Sequence, residues 1–475
     1  MKELRKHLFF LGLLVYLSSP ISAQLMGPNA GDFIAKIYTK FIVGKIYAEG
    51  NSKTKDEIIF RELPFKTGQE FSLQELADKF ETAKKHLMNT MLFHNVYVSA
   101  CSFDENKVDV EITVIERWYL FPLPYFKPVD RNLNQWLVEQ KGNLSRVNYG
   151  VKILSYNATG RNDNFRLWLI TGYSRQFALS YDRPYIDKAM KWGIRVGLAT
   201  GKEHEINHNT IDNKQAFLKS NDKFLHKSFL AGAELSYRKA IKTRHSFGVS
   251  YRKDVIDDTV LVVNSNYFNQ GAKQISYPEV HYTFNYQSVD YIPYPTKGYM
   301  LRAFLSKRGV TSQTSLWELQ ARGFGSWHLN NKTFFSLQGF AGIKLPFRQP
   351  FYSSRFLGYG DNFMSGYEYY VVDGVAGGYL RTTLTQDLFG FSIRIPNKSG
   401  KGLTHIPFHF YGKVFENSGY VYNANNSSNS LSNKFLHAGG IGIDFITIYD
   451  FTIRFEYTFN QLGQNGLFLH PKTIF

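Results

Sequence analysis

From Trp118 to the last residues, apolar and polar side chains alternate in segment after segment. A period of two admits β-strands with one apolar and one wet face, and excludes helices. FTIRFEYTFN shows the pattern plainly. Phe451, Ile453, Phe455, Tyr457 and Phe459 fall on one face, and Thr452, Arg454, Glu456, Thr458 and Asn460 on the other. The same alternation runs through VNYGVKILSY, RQFALSYDRPY, KWGIRVGLAT, GYMLRAFLSK, WELQARGFGSWHL and TFFSLQGFAGIKL. We count about sixteen such segments, an even number of the kind that single-chain bacterial barrels use.

Two environments can cover the apolar face: a packed core, as in a β-sandwich, or lipid. Composition favours lipid. The chain has 41 Phe, 31 Tyr and 38 Gly, yet a mean hydropathy of only −0.29, as expected when alternate residues alone meet hydrocarbon. Phe304, Phe324 and Phe340 sit on the otherwise polar face, where a sandwich would meet solvent.

Connections alternate between tight and long. Arg238–His245 is short; 202–223 and 423–433 are long and polar. Tight turns at one end and long loops at the other suit the periplasmic and extracellular ends of a barrel.

Lys2, Arg5 and Lys6, then the apolar run Leu8–Leu17 and SSPISA, read as a secretory signal peptide with cleavage expected after Ala23. Gln24 follows, so no lipidated cysteine is expected there. Cys101 is the sole cysteine, and no intramolecular disulfide can form. The net charge of +17 suits a wet lumen or an anionic lipopolysaccharide surface, or a scattered solvated excess of Lys. Nucleic acid is not an expected partner of an exported chain.

Residues 41–117 differ from the rest. FIVGKIYAEGN reads as a strand, and TKDE (Thr54–Glu57) and SLQE (Ser72–Glu75) as capping boxes of two helices. NVYVSA and KVDVEITVIER read as two further strands. This β-α-α-β-β order resembles a POTRA domain, on the EGN turn, the FSLQEL helix start, the LFHNVYV approach and the closing VEITVIER. The alternative is an α/β spacer that binds nothing.

Nearly the whole mature chain resembles the BamA/TamA-like outer-membrane assembly superfamily, as a member with a single POTRA domain. NATGRN (Asn157–Asn162), YPTKGY (Tyr294–Tyr299) and GLFLHPKTIF, ending in Phe475, carry the likeness in order. The resemblance implies a mainly β chain. Residues 1–23 would be the signal, 24–40 a linker, 41–117 the POTRA domain and 118–475 a transmembrane antiparallel 16-stranded β-barrel in the bacterial outer membrane.

RFLGYGDNFMSGYEYYVVDG resembles the family's loop that folds into the lumen. Where the family has an aliphatic residue, Arg, Gly and an aromatic, this chain has Met364, Ser365, Gly366 and Tyr367. The family's arginine pairs with an aspartate on a facing strand. In KVFENSGYVY that position is Asn417, two before Gly419. Both partners of the implied ion pair are then neutral, which leaves a looser loop; a register one residue off would put Glu416 there instead.

The first and last barrel segments, WYLFPLPYFKP and GLFLHPKTIF, should meet at a seam. Pro122, Pro124, Pro128 and Pro471 each remove a ladder donor there, and Phe475 closes the chain. Either the seam pairs weakly or the prolines lie at strand ends outside the lipid.

His204 and His208 have the i, i+4 spacing of a helical metal site but lie in a polar loop, and Asp361 and Asp373 flank the lumen-loop motif. Glycine-flanked serine elbows, HExxH and CxxC are absent, so neither catalysis nor a cofactor is expected. The expected function is folding and inserting barrel proteins. The partners would be lipid and lipopolysaccharide, unfolded barrel clients, and periplasmic chaperones or assembly-complex subunits. The alternatives are a polypeptide-secreting pore and a scaffold with neither activity.

Overall fold

The computed structural model describes residues 40–128, 141, 143–269, 271–311, 314–360, 362–394, 405–424 and 430–470. The expected signal peptide and all but the last residue of the linker lie outside them, as do Asp361, Pro471 and Phe475.

Strand β1 (Phe41–Glu49), helix α1 (Asp56–Arg61), strand β2 (Glu70–Phe71), helix α2 (Leu73–Met88) and strands β3 (Phe93–Asp104) and β4 (Lys107–Glu116) come first. The sheet order is β2-β1-β4-β3. The two-residue β2 is an addition to the order read from sequence; it is too short to show a period. Contacts divide the chain into two compact units that cut across these elements, one holding the described residues up to Tyr47, Pro64–Glu81 and Ser99–Glu111, the other Ala48–Leu63, Thr82–Val98 and the described residues from Ile112. In the first, Val43, Phe65, Leu76, Val108 and Val110 are buried; in the second, Ile58, Ile59, Leu87, Phe93, Val96, Ile112 and Val114.

The Ser72–Glu75 capping box forms. The Glu75 carboxylate accepts the Ser72 N–H at 2.8 Å, and Ser72 Oγ accepts the Glu75 N–H at 3.3 Å. The Thr54–Glu57 box does not. Lys55 is the N-cap of α1 and makes no side-chain cap bond. Thr54 is instead drawn to Glu116, whose carboxylate takes the N–H groups of Lys53 (3.0 Å) and Thr54 (2.7 Å) and the Ser52 hydroxyl (2.8 Å). A charged acceptor holding three donors outweighs one neutral cap bond. Burial raises the Glu116 pKa, and these bonds, led by those of Thr54, bring it net below its ordinary value.

The remaining chain forms one 16-stranded sheet in which each neighbouring pair is antiparallel. It starts with a first strand, Leu120–Pro128, and a second, Val147–Ser155. It ends with the eleventh (Thr333–Leu345), twelfth (Ala376–Arg394), thirteenth (His405–Tyr422), fourteenth (Phe435–Ile446), fifteenth (Thr452–Asn460) and sixteenth (Asn465–His470). The first and sixteenth strands are the two ends of the hydrogen-bonded order.

The sheet is inside out relative to a soluble protein. On the fifteenth strand Thr452, Arg454, Glu456 and Thr458 are buried, while Phe455, Tyr457 and Phe459 are exposed. Phe247, Val249, Val280, Leu380, Leu384, Ile441 and Ile443 are exposed likewise. Apolar surface this continuous calls for hydrocarbon around it, not water. Phe324 and Phe340, on the opposite face, are buried inside. Among the described residues no helix is long and apolar enough to cross a membrane.

Two loop readings need correction. Part of the polar stretch 202–223 is a β-hairpin, Glu205–Ile211 against Lys214–Lys219, whose polar residues conceal its weak alternation. His204 and His208 are therefore not on a helix, and His204 Nδ1 lies 2.7 Å from the Lys223 carbonyl. Short helices also occur beyond residue 118, at Asp258–Val263 and Phe351–Ser354. In the former, Asp257 caps the Thr259 N–H, a signal too local for a periodicity reading.

Two outcomes follow from this architecture. Phe455→Arg destabilises the barrel by up to about 4 kcal/mol, read as a lower urea midpoint for unfolding from vesicles. His94, on β3, is held neutral by burial and by Arg117, with its pKa lowered to about 4. Its contribution to stability is full above the unfolded value of about 6.5 and fades as pH falls towards 4. The protection factors of the β3 amides, which correct for the slower intrinsic exchange in acid, fall over that interval, and His94→Phe lessens the fall.

Candidate functional site

The segment between the eleventh and twelfth strands folds against the inner face of the sheet. Arg355–Leu357 pairs with Val372–Asp373 and draws its two ends together. Between them lie Met364, Ser365, Gly366 and Tyr367, of which Met364, Ser365 and Tyr367 are buried. Met364 and Tyr367 belong to an apolar cluster with Phe340, Phe356, Leu357, Val372, Tyr379, Val421, Leu436 and Ala438, drawn from the loop and the eleventh to fourteenth strands. This accounts for Phe340 on the polar face: it is part of the seat of the loop.

Two glycines allow the close fit. Gly366 has φ +94°, and a Cβ there would stand 2.5 Å from Ala438 Cβ. A Cβ on Gly419 would meet Met364 Sδ at 3.0 Å.

Ser365 and Asn417 are brought together. Asn417 Nδ2 donates to the Ser365 carbonyl at 3.0 Å and is almost wholly buried. Glu416 faces the other way, with its carboxylate 3.1 Å from His437 and its side chain half exposed. Asn460 Nδ2 donates to the Gly366 carbonyl at 2.7 Å, and the Tyr367 hydroxyl to the His437 carbonyl at 3.2 Å.

The site is not neutral, although its two family positions are. Arg381 on the twelfth strand lies opposite Asn417 in the ladder, so their side chains share the inner face. Its guanidinium donates to Ser365 Oγ at 2.9 Å and to Glu456 Oε1 at 2.8 Å. Ser365 Oγ in turn donates to Glu456 Oε2 at 2.9 Å. Lys413 bridges Glu456 at 2.7 Å and Asp444 at 2.5 Å. Glu456 is 0 % exposed, so its charge is tolerable only with both cations in place. The loop is thus not without charged partners. A guanidinium and a carboxylate are present, supplied by strands 12 and 15 rather than by positions 365 and 417. Sequence reading placed Glu456 on the wet face but had no means of pairing it with Arg381, 75 residues away.

A cavity of about 910 Å³ opens beside this network, lined by Arg302, Arg322, Arg381, Arg454, Glu456 and His470 among others. Among the described residues no group of His, Cys, Asp or Glu could hold a metal ion. Asp373 accepts the Tyr359 hydroxyl at 2.7 Å. Of the seam residues, Pro122 and Pro124 are interior to the first strand, opposite Ile153 and Val151, and Pro128 ends it opposite Val147.

Comparison with known proteins bears on the same features. Residues 41–117 match the POTRA model, described as a surface antigen variable number repeat, and residues 157–465 match the Omp85 superfamily domain. The second match spans more than half of the chain, which therefore belongs to the Omp85 superfamily. Membership implies an outer-membrane barrel with a periplasmic POTRA domain. Among solved structures, BamA from Haemophilus ducreyi lacking POTRA domains 1–3 is similar, at TM-score 0.51 and 17% identity, covering 90% of this chain and 83% of that one. CdiB from Escherichia coli is similar at TM-score 0.51 and 13% identity, covering 92% and 75%. No curated protein matches the chain.

Glu456→Gln leaves Arg381 without a carboxylate and Lys413 with Asp444 alone, and costs about 3–5 kcal/mol, whereas replacing Arg381 and Glu456 together by apolar residues, which keeps the Lys413–Asp444 pair, costs less. Ser365→Ala costs about 1 kcal/mol. Urea titration in micelles, followed by the gel-mobility difference between folded and unfolded barrel, ranks the three.

Proposed function

We propose that this Omp85-superfamily barrel folds and inserts β-barrel proteins into the outer membrane, by lateral opening of its sheet and strand pairing with the client. The observation carrying this reading is the proline content at one end of the sheet. Of the nine residues of the first strand, Leu120–Pro128, three are proline, and they lack the N–H that a closing partner would need. Each rung missing from a ladder in hydrocarbon costs several kcal/mol, so the ends are where the sheet parts most readily.

The rest of the chain supports an opening of this kind. The loop around Met364–Tyr367, fixed by Arg381 and Glu456, braces the inner wall while the ends separate. In the POTRA sheet β3 is an edge strand with exposed Tyr97 and Phe103, and offers a place for strand addition by a client, a chaperone or an assembly-complex subunit. No nucleotide or metal is needed, because partitioning into lipid and strand pairing supply the free energy. The basic balance of the chain favours contact with anionic lipopolysaccharide.

The purified chain in liposomes tests the reading. Folding of a urea-unfolded barrel protein should accelerate about tenfold or more, equivalent to about 1.4 kcal/mol off the barrier. A large steady conductance without acceleration would instead establish a polypeptide-secreting pore. Neither effect would leave a scaffold.

A further inference from the structure

Chain direction fixes which end of each strand faces outward. The periplasmic POTRA domain leads into the first strand at Leu120, so odd-numbered strands run away from the periplasm and even-numbered ones return. The fourth strand (Arg175–Arg183), fifth (Trp192–Glu203), sixth (His226–Tyr237) and seventh (Thr243–Ile256) therefore bring Arg175, Lys202, Lys227 and Lys253 to the extracellular end. Register places the four together. Arg175 stands opposite Lys202, and Lys202 opposite Lys227, so three cations form one row across three strands. Lys253, opposite Phe229, lies one row lower on the next strand. All four are exposed. They share the parity of the outward residues: Lys202 that of Val196 and Leu198, Lys227 that of Phe229 and Leu235, Lys253 that of Val249 and Tyr251.

Neighbouring strands lie about 5 Å apart, and like charges directly opposite one another destabilise a sheet. Nothing on the wall relieves this row. Among the described residues none of the four cations has a carboxylate partner, and Arg175 meets the Phe224 ring at 5.3 Å. The carboxylates nearest in the chain are engaged elsewhere. Glu203 and Asp254, of the opposite parity, meet His226 at 3.0 and 2.9 Å, and Asp257 meets Lys223 at 2.6 Å. Towards the middle of the barrel the same face turns apolar. Phe177, Thr200 and Phe229 form the next row with Lys253. Leu179, Leu198, Ala231 and Tyr251 follow, and then Tyr181, Val196, Ala233 and Val249.

We infer that Arg175, Lys202, Lys227 and Lys253 form a binding site for the phosphorylated headgroup of lipopolysaccharide, whose acyl chains lie on the apolar rows beneath. The inference gives a place to the lipopolysaccharide contact proposed above and rests on that contact, not on the assembly reading. The ligand's chemistry follows from the arrangement. Outward cations at the extracellular end stand at the level of the outer leaflet's headgroups, and their long stems reach from the wall into that layer. A row of three spans about 10 Å, which suits several phosphates on one headgroup better than one small anion. The apolar rows call for an anion that carries hydrocarbon. Ammonium groups take phosphate as point charges, without a fixed orientation, and the anion replaces repulsion within the row by attraction.

The test uses the full chain in micelles free of lipopolysaccharide. Bisphosphorylated lipid A and, separately, pyrophosphate are titrated in, and bound copies are counted by native mass spectrometry. Gel mobility verifies that each variant is folded. Lys202→Gln with Lys227→Gln should weaken lipid A binding about tenfold or more. Lys188→Gln with Lys239→Gln, which removes the same charge from the turns at the other end, should leave it unchanged. Without lipid A the first pair should unfold at no lower urea concentration than the unmodified chain, because repulsion in the row is relieved. With lipid A the unmodified chain should gain stability and the first pair should not. Equal lipid A binding by the first pair and the unmodified chain overturns the inference. Pyrophosphate bound as tightly as lipid A also overturns it, since the site would then take a free anion. No arm contains a client, so the assembly reading stands or falls separately, on client folding in liposomes.

Discussion

A strand immersed in hydrocarbon has one source of partners for its backbone, the strand beside it. That constraint organises the rest of this molecule. It demands a continuous ladder, and the interior strands supply it over up to 19 residues. It tolerates interior irregularities only singly, as at the bulge between Asp387 and Phe389 or at Pro278 and Pro407, whereas an end strand can lose several donors on its outer side without breaking an interior pair. Three prolines of one parity in the first strand satisfy that rule: the nine-residue register with the second strand runs without interruption, because the missing N–H groups point the other way.

The same constraint shapes the interior. With lipid outside, all charge must turn inward, into a space closed enough that Glu456 has no exposed surface. A buried carboxylate must be matched, and two cations match it. What matters to the loop is the presence of a guanidinium and a carboxylate near the Ser365 backbone, not which chain position carries them. Arg381 lies opposite Asn417 in register and so reaches the same volume that an arginine at position 365 would fill. Ser365, small and hydroxylated, becomes the junction between Arg381 and Glu456. A loop whose motif reads as weakened is anchored by charge from the wall it rests on.

How much of this was legible in the sequence follows from the range of each interaction. Alternation is local and strong, so the strands, their number and their outward face could be read from residues such as Phe455 and Glu456 alone. The Ser72–Glu75 cap was legible because both partners lie within one turn. Thr54 was misread because its competitor, Glu116, is 62 residues away. The hairpin 205–219 escaped because most of its residues are polar, so no apolar stripe betrays it. The pairing of Arg381 with Glu456 required the register of four strands, which the alternation implies only up to shifts of two.

Lumen and seam are one mechanical system. Glu456, which anchors Arg381 and Lys413, also lies 3.7 Å from His470, and His470 stacks on Phe363 of the loop. The loop therefore grips the sixteenth strand as well as the eleventh to fourteenth. The first strand is tied in as well: Phe121 meets Tyr449, in the turn between the fourteenth and fifteenth strands, edge-on at 5.6 Å, and the Trp118 N–H donates to the Tyr449 hydroxyl at 3.3 Å. Both ends of the hydrogen-bonded order are therefore braced from within, and what sets them apart is the backbone: three prolines of the first strand bring no N–H to that edge.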